Sequence, residues 1–569
     1  MELRKGIAGA FSVAASVPLE KALALIERPP DKKFGDFSIP VFSLCSKSEN
    51  PAKKALEIRQ KMKTPEGISK IEVVGPYINF FLDESVFFAS VMESILLLQE
   101  NFGKSDKGKG KNVMVEYSAP NTNKPLHIGH LRNDCIGMSV SALFEAAGWR
   151  VIRANLVNDR GIHICQAMVA YQKFGEGKTP QSAKTKGDKF VGDFYVQFNQ
   201  KAKENPELQE EARVLLQKWE SGDKQTRALW KKMREWVLSG FNATYKKFGS
   251  TFEETFFESD FYDKAKPLIE LGLKKGVFEK TPEGAIIARL EKHGLPDKTV
   301  LRADGTSIYI SNDLALTKFK QEKFNLHKNI FCVASEQDLY FRQLFKILEL
   351  LGFAWAKNCE HLSYGLVFLP EGKMKSREGK VIDADDLIAK IEGIALKEVE
   401  KRYPKLKEKE KKKRAETIAL AAIKFAMLKI DHKKDFTFLP EQSLSFEGES
   451  GPYLLYSYAR AKSVLRKAEW KGTGKTKTDF SKLSSEKEKA ILKTLAVFPE
   501  TIEKALNERN PSLLCHFLLS LAEQFNAYYH ETKIIGSTEE KERLALTKAV
   551  SIVLKSGLSL LNISVLEEM

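Results

Sequence analysis

A chain of 569 residues with 43% hydrophobic and 29% charged side chains is too long for one core and too mixed to be disordered or fibrous, so about three or four domains are expected. Its formal net charge of +16 favours a polyanionic partner, because lysines and arginines bind phosphates by releasing counterions. Cys45, Cys135, Cys165, Cys332, Cys359 and Cys515 form no CxxC pair, against a disulfide framework or structural zinc. With no apolar run of about 18 residues and no signal-peptide pattern, a soluble cytoplasmic protein without membrane contact is expected.

Residues 1–107 read as a small α+β unit, with a helix over Val17–Ile26, a loop through Pro29 and Pro30, and strands at Ile71–Val74 and Tyr77–Leu82. The polar, glycine-bearing stretch Ser105–Lys111 is a linker, and a boundary falls near residue 108. From there to 394 strands alternate with helices, as in a Rossmann-type, doubly wound parallel sheet. Candidate strands are Val113–Tyr117, Val151–Leu156, Ile330–Ala334 and Leu362–Val367. Between about 175 and 250 long charged helices, including Leu208–Trp219 and Thr226–Lys247, form a helical insertion, which costs little when it leaves from a surface loop. Residues 395–569 carry amphipathic segments at Ala415–Ile430, Pro452–Ala468, Ser485–Phe498, Pro511–Tyr529 and Glu539–Leu561, which imply an all-α bundle. The basic run Lys401–Arg414 is either a solvated helix face or an RNA contact. The expected fold class is therefore multidomain α/β with a small α+β domain at one end and a helix bundle at the other.

The stretch Ser118–Asn133, SAPNTNKPLHIGHLRN, follows the apolar strand that ends near Glu116. Pro120 and Pro125 break the chain, and Ile128 onward is helix-forming. At the end of a parallel strand, Gly129 lets a nucleotide approach the backbone, and a helix start presents N–H groups to phosphate. His127 and His130, three apart, share a face and are placed to hydrogen-bond the phosphates of ATP. Far downstream lies KMKSR, with Lys373, Met374, Lys375 and Ser376.

The paired motifs resemble the HIGH and KMSKS signatures of class I aminoacyl-tRNA synthetases, and SAPNTNKPLHIGHLRN is similar to the arginyl-tRNA synthetase family in particular. The resemblance implies ATP binding by His127, Gly129, His130, Lys373, Met374 and Lys375. Ser376 stands where KMSKS has its second lysine, and members of that family carry a compensating lysine just before HIGH, a position filled here by Lys124. An arginine substrate presents five donors in a planar, permanently charged fork, for which Glu116 and Asp313 offer carboxylates. The segment from Asp304 to Ala315 is similar to the family's DGTxxYxxxDxA pattern, and by the same resemblance Tyr309, Ser118, Asn121 and Gln337 also contact the amino acid. Tyr340 stands where the family has His and receives no role. Asn158 and Asp159 are expected to line the ATP or arginine pocket.

For tRNA the resemblance implies an N-terminal domain that meets the D-loop, with Asn79 and Phe81 against an unpaired base. It also implies a C-terminal anticodon-binding domain in which Tyr453, Tyr456 and Arg460 form an aromatic and cationic set. Leu544-Ala-Leu546 departs from the DALR tetrapeptide of that domain. The expected activity is arginine–tRNA ligation through arginyl-adenylate, dependent on bound tRNA, with Mg2+ accompanying ATP and the protein acting as a monomer. The competing readings are an HxGH nucleotidylyltransferase and a non-enzymatic tRNA-binding paralogue.

Overall fold

The computed structural model describes residues 2–46, 48–303, 308–370, 383–472 and 478–569. Its residues divide into two compact units, one of 1–99, 464–496 and 527–549, the other of 100–463, 497–526 and 550–569. No single helix among the described residues is long and apolar enough to cross a membrane.

The first unit holds a three-stranded antiparallel sheet, β1 (Phe37–Pro40), β2 (Ile68–Val74) and β3 (Tyr77–Leu82), in the order β1-β3-β2. Ile78 and Phe80 of β3 join Ile39, Ile7, Phe11 and Ile58 in the core. Gly35 has φ 97°, and a Cβ there would sit 2.7 Å from the carbonyl oxygen of Phe80, so only glycine fits against β3. Asp36 then accepts the N–H of Leu82 at 3.0 Å. The expected helix over Val17–Ile26 is trimmed to Leu19–Leu25 by Pro18, and Glu2–Ala15 forms a helix despite Gly6 and Gly9, which lower its intrinsic propensity.

In the second unit, β4 (Asn112–Glu116), β5 (Arg150–Val157), β6 (Glu254–Phe257), β10 (Lys328–Ala334) and β11 (Cys359–Tyr364) form an all-parallel sheet in the order β11-β10-β4-β5-β6. The chain runs outward from β4 through β5 to β6, then crosses back to β10, so the order reverses between β4 and β10. Ligands of such sheets bind at that reversal, beyond the carboxyl ends of the strands. The insertion helices Gly187–Glu204, Glu207–Glu220 and Lys224–Phe248 separate β5 from β6. A small antiparallel sheet of β7 (Phe278–Lys280), β8 (Ile286–Ala288) and β9 (Lys298–Leu301) precedes the helix Tyr309–Phe324. Near the end of the sheet, β12 (Val367–Phe368) pairs in parallel with β13 (Phe436–Thr437).

Two expected elements are divided. The strand over Leu362–Val367 breaks at Gly365, where a Cβ would lie 2.5 Å from the carbonyl carbon of Lys434. The helix over Ser485–Phe498 ends at Ala496, and another begins at Phe498 with a proline in its first turn, where the missing N–H costs nothing. The basic run Lys401–Arg414 spans the end of one helix and the start of the next. Within it Lys411 reaches Glu408 at 2.8 Å and Arg414 reaches Glu568 at 3.3 Å.

Candidate active site

Beyond β4 the chain turns through two non-glycine residues in the left-handed region, Ser118 at φ 76° and Ala119 at φ 50°. Such conformations cost on the order of 1–3 kcal/mol each and persist only where the surroundings fix them. Asn133 Oδ1 accepts the N–H of Ser118 at 2.7 Å, and Asn155 Oδ1 accepts that of Ala119 at 3.2 Å. Tyr245 of the insertion brings its hydroxyl 2.7 Å from Ser118 Oγ and accepts from Asn155 Nδ2 at 3.2 Å. Asn158 donates from its side chain to Ala119 O, and its backbone pairs with Pro120 and Thr122, so it shapes the turn. Asp159 is fully buried and accepts from Arg234 and from the hydroxyl and N–H of Ser259. It fastens the insertion to the sheet, with both carboxylate oxygens committed. Asn121 stands exposed on the turn.

His127 is the N-cap of the helix Ile128–Ala146. Its Nδ1 accepts the N–H of Gly129 at 3.2 Å, while His130 Nδ1 accepts the N–H of His127 at 3.0 Å. The N–H groups of His130 and Leu131 go to His127 O. The expected open cradle of backbone donors is therefore largely closed, and the imidazoles take its place. Burial pushes the pKa of His127 down to about 3, with the charge of Lys124 adding to the effect, and drives His130 well below its ordinary value. Neutral rings whose Nδ1 atoms accept hydrogen bonds carry their protons on Nε2, so each presents an Nε2–H donor. Gly129 also acquires a reason, since a Cβ there would lie 3.0 Å from His127 Cε1. The absent side chain admits the imidazole ring.

Three carboxyl groups gather behind this turn. Glu116, expected to meet a guanidinium, is buried and ion-paired with Lys320 Nζ at 2.5 Å. Its charge is already matched. Asp313 accepts from the hydroxyl of Tyr340, which gives Tyr340 a role that sequence comparison withheld. Glu258, at the carboxyl end of β6, is buried, and its Oε2 has no hydrogen-bond partner among the described residues. Desolvation raises Glu258 to about 8 against the opposing charge of Arg160, and raises Asp313 to about 6 against the Tyr340 hydrogen bond and Lys320. Tyr309 is 55% exposed, which excludes a core role, and it lies within the field of Glu258, Arg160 and Asp313. Gln337 is exposed just beyond β10. Lys373, Met374, Lys375 and Ser376 lie outside the described residues, as does the Asp304–Ser307 part of the DGT-like segment.

Residues 92–439 match the family model for the catalytic domain of class I tRNA synthetases of the arginine type. Residues 1–82 match the arginyl-tRNA synthetase N-terminal domain and 454–569 the DALR anticodon-binding domain. An arginine–tRNA ligase of Treponema denticola is 42% identical over 558 residues, covering 96% of this chain and 94% of its own. One of Borrelia hermsii is 39% identical over 575 residues, covering 98% and 97%. The chain belongs to the class I arginyl-tRNA synthetase family. The arginyl-tRNA synthetase of Thermus thermophilus superposes with a TM-score of 0.84 at 26% identity, over 100% of both chains.

The remaining candidates lie in the terminal domains. Asn79 is 2% exposed and accepts from Ser38 Oγ at 2.7 Å, so its amide is engaged within the N-terminal sheet. Phe81 is half-buried beneath Lys70, at 5.3 Å. Tyr453 and Tyr456 are half-buried on the helix Gly451–Lys467. Arg460 donates to Tyr456 OH at 3.0 Å and to Asn526 Oδ1 at 2.6 Å, which fixes the cation against the Tyr456 ring. The DALR family model matches although the tetrapeptide differs; Leu544, Ala545 and Leu546 are all buried, and Arg543 pairs with the buried Glu488 at 2.9 Å.

Sequence reasoning missed Glu258, Asn133, Asn155 and Tyr245 as site residues. Asn133 lay inside the quoted motif, and Glu258 became visible only once β6 placed it at a strand end. Nothing in the sequence pointed to Tyr245.

Proposed function

We propose that the chain is an arginine–tRNA ligase that activates L-arginine with ATP and passes the arginyl group to the terminal adenosine of tRNA. The observation that carries this is the near full-length likeness to arginine–tRNA ligases, and Asp313, Glu258 and Tyr309 near two imidazoles at the sheet supply groups that suit its chemistry. An acidic pair, Glu258 buried and Asp313 half-buried, fits a guanidinium and rejects lysine or citrulline, which leave it wrongly matched. Asn121 and Ser118 hold the amino and carboxylate groups, Gln337 contacts the substrate too, and Glu116 with Lys320 forms the floor.

In the first step the arginine carboxylate attacks the α-phosphorus of ATP and pyrophosphate leaves. No enzyme nucleophile is needed, so catalysis rests on positioning and on donors aimed at developing charge. His127 and His130 supply Nε2–H groups, and Lys124, Lys373 and Lys375 supply positive charge, with Ser376 in the same segment. Magnesium enters bound to the nucleotide phosphates as part of the substrate. In the second step a ribose hydroxyl of the terminal adenosine attacks the arginyl carbonyl and AMP leaves. Residues 1–107, 108–394 and 395–569 act as D-loop, catalytic and anticodon-binding parts in a cytoplasmic monomer. Phe81 stacks on a base with Asn79 as its support, and Tyr453, Tyr456 and Arg460 meet the anticodon.

We further propose that adenylate formation requires bound tRNA, as the substituted KMSKS segment between two tRNA-binding domains suggests. ATP–pyrophosphate exchange, run with each amino acid in the presence and absence of tRNA, tests both statements. Exchange is expected with arginine alone and only when tRNA is added. Exchange driven by another amino acid overturns the substrate, and full-rate exchange without tRNA overturns the requirement.

A further inference from the structure

The helix that presents His127 and His130 also carries Arg132, whose side chain is 0% exposed. The two terminal nitrogens of its guanidinium donate to main-chain carbonyls, while Nε is buried with no hydrogen-bond partner among the described residues. Nη1 donates to Leu366 O at 2.9 Å, and Nη2 donates to His432 O at 3.2 Å and Lys434 O at 2.7 Å. The ring of Phe436 lies 4.7 Å away. Burial lowers the pKa to about 10, so the group stays charged at neutral pH. Burying a cation is unfavourable, and an apolar residue of similar size would commonly serve stability as well. What the planar fork adds is geometry, because its donors hold two separate segments at fixed distances from one helix.

Those segments are Tyr364–Leu369, which contains β12, and Asp431–Phe438, which contains β13. They are joined by Gly365 N–H to His432 O at 2.8 Å and by Leu366 N–H to Asp435 Oδ1 at 2.6 Å. The first leads directly into residues 371–382, which carry Lys373 and Lys375. Where the chain returns, Asp383 forms a bridge with His127, and Ala384 N–H donates to Leu126 O at 2.9 Å. The departure point is thus tied to the imidazole-bearing helix through Arg132, and the return point is tied to the residues that open that helix.

We infer that Arg132 is a positioning residue for adenylate formation, setting the distance between the two imidazoles and the root of the segment that bears Lys373 and Lys375. The inference rests on the proposed phosphate role of those lysines. It follows that a side chain reaching one carbonyl instead of three leaves the fold intact while misplacing the catalytic groups.

Arg132→Lys in the full chain tests this, with tRNA present in pyrophosphate exchange and rates expressed per active site by adenylate titration. Since a misplacement of about 1 Å costs up to about 10²-fold in rate, kcat is expected to fall about tenfold or more. KM for arginine and Kd for tRNA are expected to stay within about twofold, the signature of an interaction used only in the transition state. Asp435→Ala, at an exposed residue, removes the acceptor of Leu366 N–H and a carboxylate whose charge acts on Arg132, and leaves the three carbonyl acceptors of the guanidinium in place. It is expected to lower kcat in the same direction by about threefold. A lower melting temperature with unchanged kcat per active site in Arg132→Lys would show a merely structural role and overturn the inference. Should Arg132→Lys fail to fold, an unchanged kcat in Asp435→Ala overturns it instead. Lys373→Ala separates the two levels. If that variant keeps full activity, the reading of the lysines fails. If it loses activity while both other variants keep theirs, only the role of Arg132 fails.

Discussion

Glu258 and Asp313 lie within electrostatic reach of each other, and neither carboxyl ionises at its ordinary pKa. Desolvation raises Glu258 to about 8 and Asp313 to about 6, so well below pH 6 both carry protons. A guanidinium selects the ionised form of each and expels the proton on binding. Arginine affinity is therefore expected to rise as pH climbs through about 6 to about 8 and to level off above. Calorimetric titration across that range checks this, together with proton release measured in buffers of different ionisation enthalpy. Glu258→Gln should remove the upper limb of the profile, and a Kd independent of pH in the parent would contradict the assignment. At the imidazoles, His130→Ala removes one Nε2–H donor and the acceptor that caps His127 N–H. Loss of a single such donor costs about 10²–10³ in kcat, so charging should fall by that factor while tRNA affinity measured by filter binding is unchanged.

At the scale of elements, the insertion contributes to the site from a distance. Tyr245 stands on the helix Lys224–Phe248, and its hydroxyl braces the strained turn at Ser118 while accepting from Asn155. Tyr245→Phe leaves both partners short of a hydrogen bond, at about 1–3 kcal/mol. A lower melting temperature and a raised KM for arginine are expected together, and an unchanged KM would confine Tyr245 to a packing role. The same elements show what the sequence reveals. Apolar runs betrayed β4, β5 and β10, and alternation betrayed β3, because each buries a continuous face. β6 went unseen because four residues follow a helix of 25 with little periodic signal of their own, and the three-residue strands β7 and β8 are shorter than any pattern can register. The HxGH pair was legible because its chemistry lies in adjacent residues. The pairings Glu116 with Lys320 and Asp313 with Tyr340 were not, since their partners meet only after the sheet is assembled.

At the scale of the whole molecule, a net charge of +16 and an anticodon-binding domain of the DALR type predict that tRNA affinity is largely electrostatic. If six or more phosphates are neutralised, binding should weaken by about 10³ or more between roughly 50 and 200 mM salt. Arginine KM at saturating tRNA should change far less if Glu258 and Asp313 hold the guanidinium as proposed, since charges act there at short range and away from water. Equilibrium binding over a salt series gives the slope, and a slope near zero would contradict a phosphate-dominated interface. The central claim is tested most directly by incubating the enzyme with ATP, total tRNA and each radiolabelled amino acid in turn. Arginine alone should become attached to tRNA, and labelling by any other amino acid, or by none, would contradict the account.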